Sequence, residues 1–541
     1  MVDMSLRRKV SLVLLFFIPY TLSSQIFPKE GSKLNYRLIG FSFPQMNEGK
    51  CTLSIAKGNN STLSAFNKNI IKSIECENGK TIVEVPAFGC DYTWAVNYQG
   101  RRPASNELHH FSTLISPKVD TGIRRFRIAS AAKQYKDAYV FLDFNQVLYD
   151  MDGNPVWFLP DSSFSITEST NVRDVKLSPF GTITFMTDDE VYEINYEADI
   201  LWKGPVTAGE DGENSELYHH EFTRLNNGHY MALGSENQLW KLPGYLKDSA
   251  NTSTDITLGA DSFFYKKMRF GTVNEYDQKG NMVWSWKSSG YFKESDLFKY
   301  ESAGDLFDIR DVHENSFYFD EKDKVIYVSF RNLSRIVKVA YPEGKVIAVY
   351  GRIYQPGMMS AENDLFCGQH SISKTAEGYL CLFNNNSLTQ NSVPRLVIME
   401  EPADPKDDLK KIWEYSCTLD GLSERELHIY SKYSEHRQVR QTKNKFSNWK
   451  LRLTSGGNVC ELPDGSLFAS MSMPFSKTFI VTKSKEIIWN AIPEQRPSKD
   501  SLWNVSPTYR ASIIADRKGL ERLIWNGKTG KQSGNPGKLE H

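Results

Sequence analysis

The stretch Phe366–Asn386, FCGQHSISKTAEGYLCLFNNN, reads as a β-hairpin with His370 at the mouth of its first strand. Gly378, eight residues on, marks the turn, and Tyr379–Phe383 supply the return strand. A strand histidine alone says little, because most are satisfied core or surface residues. Here the chain repeats the pattern. Tyr218-HHEFTRLNNGHYMAL sets His220 eight residues before Gly228. A longer copy, Asp311-VHENSFYFDEKDKVIYVSF, sets His313 ahead of a hairpin that runs into Arg331. Other copies lack the histidine: Arg173 stands eight residues before Gly181, and Gly457 eight before Gly465. Three histidines at one position of a repeated strand predict a shared site where the repeats converge.

A second repeat accompanies the first. A polar turn leads to an apolar pair and a tryptophan in Gly153-NPVW (Trp157), Ala198-DILW (Trp202), Gly280-NMVW (Trp284), Leu409-KKIW (Trp413) and Lys483-SKEIIW (Trp489). Gly344-KVIAVYG is a sixth instance, with Ala348 in the tryptophan's place. The spacings, about 45 to 80 residues, leave room for four-stranded units with inserted loops. The fold class expected is all-β: a six-bladed β-propeller over residues 119–541, preceded by a small N-terminal β-sandwich over residues 25–118. The sandwich rests on short alternating runs such as Cys51-TLSIAKG and Tyr92-TWAVNYQG. His109 and His110, near its end, read as linker residues.

Composition sets limits on function. With 65 basic and 65 acidic residues the formal net charge is zero, which excludes the basic footprint of a nucleic-acid binder. Arg7, Arg8 and Lys9 precede the apolar run Val10–Leu22 and the small residues Ser23 and Ser24. This reads as a cleaved signal peptide, residues 1–24, and places the mature protein in the periplasm or outside the cell. No later stretch is long and apolar enough to span a membrane. Seven cysteines leave at least one unpaired in an exported chain, and none has zinc-ligand spacing. Leu422–Trp449 is a charge-dense insertion, read as a solvated excursion, with a lid as the functional alternative.

The innermost strands of a propeller line its central channel, so His220, His313 and His370 are expected to face one another there. Asn315 shares the face of His313, and Arg331 closes the same hairpin. Imidazole serves as nucleophile, acid or base near neutral pH, and guanidinium suits a tetrahedral oxyanion. The set lacks paired carboxylates, against a glycosidase or calcium site. A three-histidine metal site is the chemical rival, weakened by the neighbouring cation. His219, one residue from His220, is expected to point away, because side chains alternate across a strand.

With these residues in view, residues from about 120 onward resemble the bacterial arylsulfate sulfotransferase family. The resemblance rests on HHEF…NNGHYMAL, DVHENS, the SFR strand end, QHS…GYLCLFNN, GGNVCELPDGSLFAS and Tyr509-Arg510-Ala. It implies a nucleotide-independent transfer of a sulfuryl group from a phenolic sulfate donor to a phenolic acceptor, with no cofactor and no metal. His370 would be the nucleophile that is transiently sulfated. His220, His313 and Arg331 would hold the sulfuryl oxygens, and Asn315 would add a neutral donor to the substrate. His313 or His220 would shuttle the phenol proton, and Thr454 or Ser455 would complete the pocket. Ser371, Asn384 and Asn332 depart from the family pattern and bear on substrate and rate. Two other readings stand beside this one: a non-catalytic propeller that binds an anion or glycan, and a three-histidine metal-dependent hydrolase or lyase. Partners expected are the two phenolic substrates, with no nucleic acid and no membrane span after signal cleavage; a homodimer is left open.

Overall fold

A computed structural model describes residues 26–526, except 45–49, 99–106, 132, 162–163, 165, 167–169, 188, 206–217, 243–255, 294–295, 297, 300–306, 309–311, 352–364, 387–392, 429–453 and 455. The expected signal peptide, Ser455 and most of the 422–449 insertion lie outside the described residues. The described chain is all-β in class, built from small antiparallel sheets with short helices such as Leu63–Lys68 and Arg517–Asn526. No helix among the described residues is long and apolar enough to cross a membrane.

The chain divides into two compact units. The smaller comprises residues 1–33, 39–85 and 90–112, and the larger residues 34–38, 86–89 and 113–541. The smaller holds a five-stranded sheet in the order Ser32–Leu34, His109–Thr113, Asp91–Tyr98, Cys51–Lys57, Ile70–Cys76. A two-stranded sheet pairs Leu38–Ser42 with Lys80–Glu84. His109 and His110 are therefore strand residues, not linker: their strand pairs with Asp91–Tyr98, His109 lying opposite Trp94. No disulfide joins any of the seven cysteines, and Cys51 and Cys76 lie directly opposite each other across two strands.

Among the described residues, the larger unit contains six sheets with a four-stranded antiparallel core, besides a two-stranded sheet that pairs Phe298–Lys299 with Phe307–Asp308. The second runs Arg173–Leu177, Ile183–Met186, Val191–Ile194, Ile200–Lys203 in chain order. The third begins at Phe222–Arg224, the fourth at Glu314–Asp320, the fifth at His370–Lys374 and the sixth at Gly457–Glu461. The first sheet differs. Its strands Tyr139–Leu142, Val147–Asp150 and Pro155–Phe158 are completed by Ala511–Ile514, from near the end of the described chain. The quoted hairpin forms as the sequence predicts, with Gly378 at φ +90° closing its turn, a backbone that glycine adopts without steric cost.

The tryptophan repeat marks the last strand of each sheet. In all six, the pairing of the third and fourth strands slips by one residue at the same place, the residue immediately before the tryptophan position, as at Val156 before Trp157 and Ile488 before Trp489. That bulge aims the side chain at the next sheet. Trp157 Nε1 donates to Tyr196 O (2.8 Å), Trp284 to Pro342 O (2.7 Å), Trp413 to Lys483 O (2.9 Å) and Trp489 to Met151 O (3.1 Å). Trp202 instead stacks on Tyr230 of the third sheet, centroids 3.8 Å apart. Where Ala348 replaces tryptophan, another device joins the fourth sheet to the fifth: Tyr327, Tyr350 and Lys338 all donate to the Glu401 carboxylate at 2.6 to 2.8 Å. Every consecutive pair of sheets is thus tied, and Trp489 of the sixth docks on the first. Burying an indole of 150–250 Å² contributes about 4–6 kcal/mol before entropy is counted.

Candidate active site

The mouths of the first-paired strands are unlike the tryptophan hairpins. His220 (φ 63°) and His313 (φ 53°) hold left-handed backbone, as do Asp174 (φ 55°) and Ser371 (φ 51°) at the mouths of the second and fifth sheets. For residues with a Cβ this conformation costs about 1–3 kcal/mol and gathers at functional sites. Gly457 (φ 119°) takes that place in the sixth sheet, where a Cβ would lie 2.7 Å from Ser470 O.

The single register expected for the three histidines is off by one. His370 pairs opposite Phe383, and Arg173 opposite Met186. In the third sheet the corresponding place belongs to His219, whose N–H donates to Leu233 O, so His220 stands one residue further in. The rings converge all the same. His220 and His313 have centroids 5.1 Å apart, and Tyr509 lies 5.8 Å from His220 and 6.4 Å from His370. A left-handed residue breaks the strand's alternation, so neighbours in sequence can address one space. His219 shows this directly. It was expected to point away, yet its Nδ1 lies 2.9 Å from His220 Nδ1.

The hydrogen bonds fix which nitrogens carry protons. Asn385 Nδ2 faces two carbonyls, Gly456 O at 2.8 Å and Thr454 O at 3.4 Å, so its Oδ1 faces His370 Nδ1 at 2.5 Å. That oxygen only accepts, so Nδ1 is the protonated nitrogen and Nε2 of neutral His370 keeps its lone pair. His219 Nε2 meets Gly234 O at 2.9 Å and must donate, leaving its Nδ1 to accept from His220 Nδ1. Neutral His220 likewise keeps a lone pair on Nε2. Burial holds His370 well below the ordinary imidazole range, and the Arg331 and His313 charges act the same way. Burial again, then His219, His313, His370 and Arg510, hold His220 down.

Beneath the rings lies a buried charge network. Arg510 Nη1 donates to Asp174 Oδ1 (3.0 Å) and Glu221 Oε2 (2.7 Å), and Nη2 to Asn315 O (2.9 Å). Lys176 Nζ bridges Asp174 Oδ2 and Glu221 Oε1, each at 2.8 Å. Two cations therefore face two carboxylates. Burial pushes Asp174 up, while for Glu221 the pull of Arg510 and Lys176 outweighs burial and draws it down. Asp143 accepts the backbone N–H groups of Phe144, Tyr509 and Arg510 at 2.7 to 3.0 Å, and burial pushes it up to about 7 despite those donors.

Of the other predicted residues, Arg331 is buried; its N–H donates to His313 O and its Nη1 to Asn332 Oδ1 (2.8 Å). Asn315 is fully buried, and its amide donates to Gln369 O (2.7 Å), bracing the residue before His370. Thr454 spends its hydroxyl internally, donating to Gly456 O and accepting from Ser472 N, both at 2.9 Å. Sequence reasoning missed Asn385 and gave Tyr509, Arg510 and Asp143 no role. The signals available were the Asn384–Asn386 run and the Tyr509-Arg510 pair. Asn315 Oδ1 and the buried Tyr509 hydroxyl find no hydrogen-bond partner among the described residues. Among those residues, no group of three or more His, Cys, Asp or Glu side chains is placed to share a metal ion.

Residues 271–404 match the family model Arylsulfotransferase (ASST). The match covers one segment of the chain. It contains His313, Asn315, Arg331, His370 and Asn385, whereas His220 and Arg510 lie outside it. The arylsulfotransferase match spans about a quarter of the chain and supports sulfotransferase activity at the level of the family. No curated protein matches. Among solved structures, the chain is similar to a protein of unknown function from Bacteroides caccae, with 10% identity, 72% of this chain and 99% of that one covered, and a TM-score of 0.36. It is also similar to hydrazine synthase from Kuenenia stuttgartiensis, with 11% identity, 63% and 88% covered, and a TM-score of 0.27.

Proposed function

We propose that this protein is an exported aryl sulfotransferase, periplasmic or secreted, working by double displacement through a sulfo-histidine at His370. One observation carries the reading: Asn385 holds the His370 Nδ1–H, so Nε2 presents a lone pair among His313, Arg331 and Tyr509. Imidazole kept neutral by burial and by a nearby guanidinium is a nucleophile that does not wait for deprotonation.

In the first step Nε2 attacks the sulfur of a phenolic sulfate, an N–S bond forms, and the S–O bond to the aryl group breaks. The phenolate leaves with that electron pair. In the second step the acceptor phenol's oxygen attacks the same sulfur, and the N–S pair returns to Nε2. Negative charge on the sulfuryl oxygens is met by Arg331 and by the neighbouring imidazoles, which is where such transfers gain most of their rate. His220, with its free Nε2, suits the proton exchange between departing and attacking phenols. Asn315 is read as a brace for the His370 strand as well as a substrate donor. Its unpartnered Oδ1 and the Tyr509 hydroxyl are buried polar atoms of the kind a bound ligand satisfies.

The six sheets are read as the blades of a propeller. In support, bonds join each sheet to the next at the strand mouths and return to the start. Arg510 reaches Asp174, Phe222 N reaches Asp174, and Val312 N reaches Arg269 O. Asn315 reaches Gln369 O, Asn385 reaches Gly456 O, and Asn458 exchanges two bonds with Ala511. The test is incubation with a chromogenic aryl sulfate and excess phenol, followed by mass analysis of the His370 peptide after donor alone. Phenol-dependent release together with one sulfuryl group on His370 supports the reading. Release without an acceptor indicates a hydrolase, and no release across several aryl sulfates leaves an anion-binding protein.

A further inference from the structure

We infer that Arg510 is a positioning residue: from the mouth of the last strand it bonds the mouths of three other sheets and so sets the spacing of His220, His313 and His370. This rests on the function proposed above and adds a residue outside the segment that matches the family model.

The geometry is specific. Arg510 directly precedes Ala511–Ile514, the strand that completes the first sheet. Its backbone N–H is held by Asp143 Oδ2 at 2.7 Å, which fixes where the side chain begins. The guanidinium then spends one nitrogen on Asp174 of the second sheet and Glu221 of the third, and the other on Asn315 O of the fourth. Each of those three residues sits beside a residue of the site. Asp174 Oδ2 accepts Phe222 N, two residues after His220; Glu221 follows His220; Asn315 lies two residues after His313 and donates to the carbonyl before His370. A planar fork with fixed donor directions can hold three strand mouths at set distances, which a lysine's single ammonium cannot.

The charge of Arg510 has a second consequence. After burial, the largest cause, it acts on both His220 and His370 to disfavour their protonation, behind Arg331 and His313 at His370 and behind His219, His313 and His370 at His220. Asp174 and Glu221 balance that charge, and Lys176 completes the neutral set.

Two variants and two readouts test this. Arg510→Lys keeps the charge and loses the fork; Arg510→Met keeps bulk and loses both. Their melting curves establish that each is folded. With histidine labelled at ring carbon Cε1, NMR titration follows His220 and His370 directly, whether or not the protein turns over aryl sulfates. In Arg510→Met both histidines are expected to titrate higher by about one pH unit, and the acid limb of kcat/KM moves up with them. In Arg510→Lys the titration stays close to wild type while kcat falls at least tenfold. Glu221→Gln, which removes a negative charge, is expected to move the same histidines downward. Unshifted histidines with wild-type kcat in a folded Arg510→Met overturn the inference. So do equal losses of kcat in both folded variants without any shift, which mark general support of the strand mouths rather than control of the two histidines. If wild type transfers no sulfuryl group but the histidines shift as described, the function proposed above fails and the role of Arg510 stands.

Discussion

The outer tryptophan hairpins and the inner strand mouths belong to the same six sheets and obey opposite rules. Outside, five of six positions keep tryptophan, all six keep the slipped pairing, and four indoles donate to a carbonyl of the following sheet. Inside, the mouths carry Arg173-Asp174, His219-His220, His313, His370-Ser371, Gly457 and Tyr509-Arg510, no two alike. Repetition outside answers one packing problem posed six times. Divergence inside, with left-handed backbone at non-glycine residues, is strain tolerated where side chains must meet. Stability and chemistry are therefore separable in this molecule.

The strongest test of that separation is His370→Ala. Phenol-dependent release from a chromogenic aryl sulfate is expected to fall by about a thousandfold or more, about 4 kcal/mol in barrier, with the urea unfolding midpoint little changed. A collapse of stability in this variant breaks the contrast. The converse is Trp489→Ala. It removes a fully buried indole and its bond to Met151 O, so the folded state should lose about 3–5 kcal/mol. The remaining folded fraction keeps its kcat. Trp284→Ala, at a half-exposed indole, should cost clearly less on the same denaturation curve.

Asn385→Ala sharpens the inner half of the comparison. Without Oδ1 the His370 ring loses the partner that fixes its tautomer, and kcat is expected to drop by about a hundredfold. KM should stay near its wild-type value, and unchanged kcat would remove Asn385 from the mechanism.

The pH dependence is subtler and its sign is set by the histidines. Both His220 and His370 are held below their ordinary range, so transfer should stay level as pH falls through about 6.5. It should decline only in more acidic buffer. The unfolded chain takes up these protons first. Stability is accordingly fully present above about pH 6.5 and is lost as pH falls from there toward the folded-state values, by at most about 1.4 kcal/mol per pH unit for each histidine. Comparing urea midpoints of wild type and His220→Gln across that window checks it; identical slopes would contradict buried neutral imidazoles. The smallest effect is expected of His219→Phe, a loss of a few-fold to about tenfold in kcat from an unanchored His220 ring.

The tryptophan repeat was legible in sequence because one local pattern, a polar turn followed by an apolar pair and an indole, produces one local structure each time. Even Ala348 was found, by the turn and apolar run around it. The histidine hairpins were legible for the same reason, through the turns at Gly228 and Gly378. The details at the mouths were not. Alternation along an ideal strand put His219 away from His220 and His370 in register with His220, and a left-handed residue at each mouth defeats both inferences. Asn385 and Asp143 were invisible for another cause: their importance lies in partners 69 to 71 and 366 to 367 residues away.

The sequence by itself determined an all-β chain of repeated hairpins, a formal net charge of zero, and the identity of the histidines and arginine that meet. Those follow from periodicity and residue chemistry, which are local. The tertiary structure alone decided which imidazole nitrogen is free, that Arg510 spans four sheets, and that the Ala511–Ile514 strand completes the first. These depend on carbonyls and carboxylates brought together across hundreds of residues, and no local pattern records a hydrogen bond whose two ends are chosen by the fold.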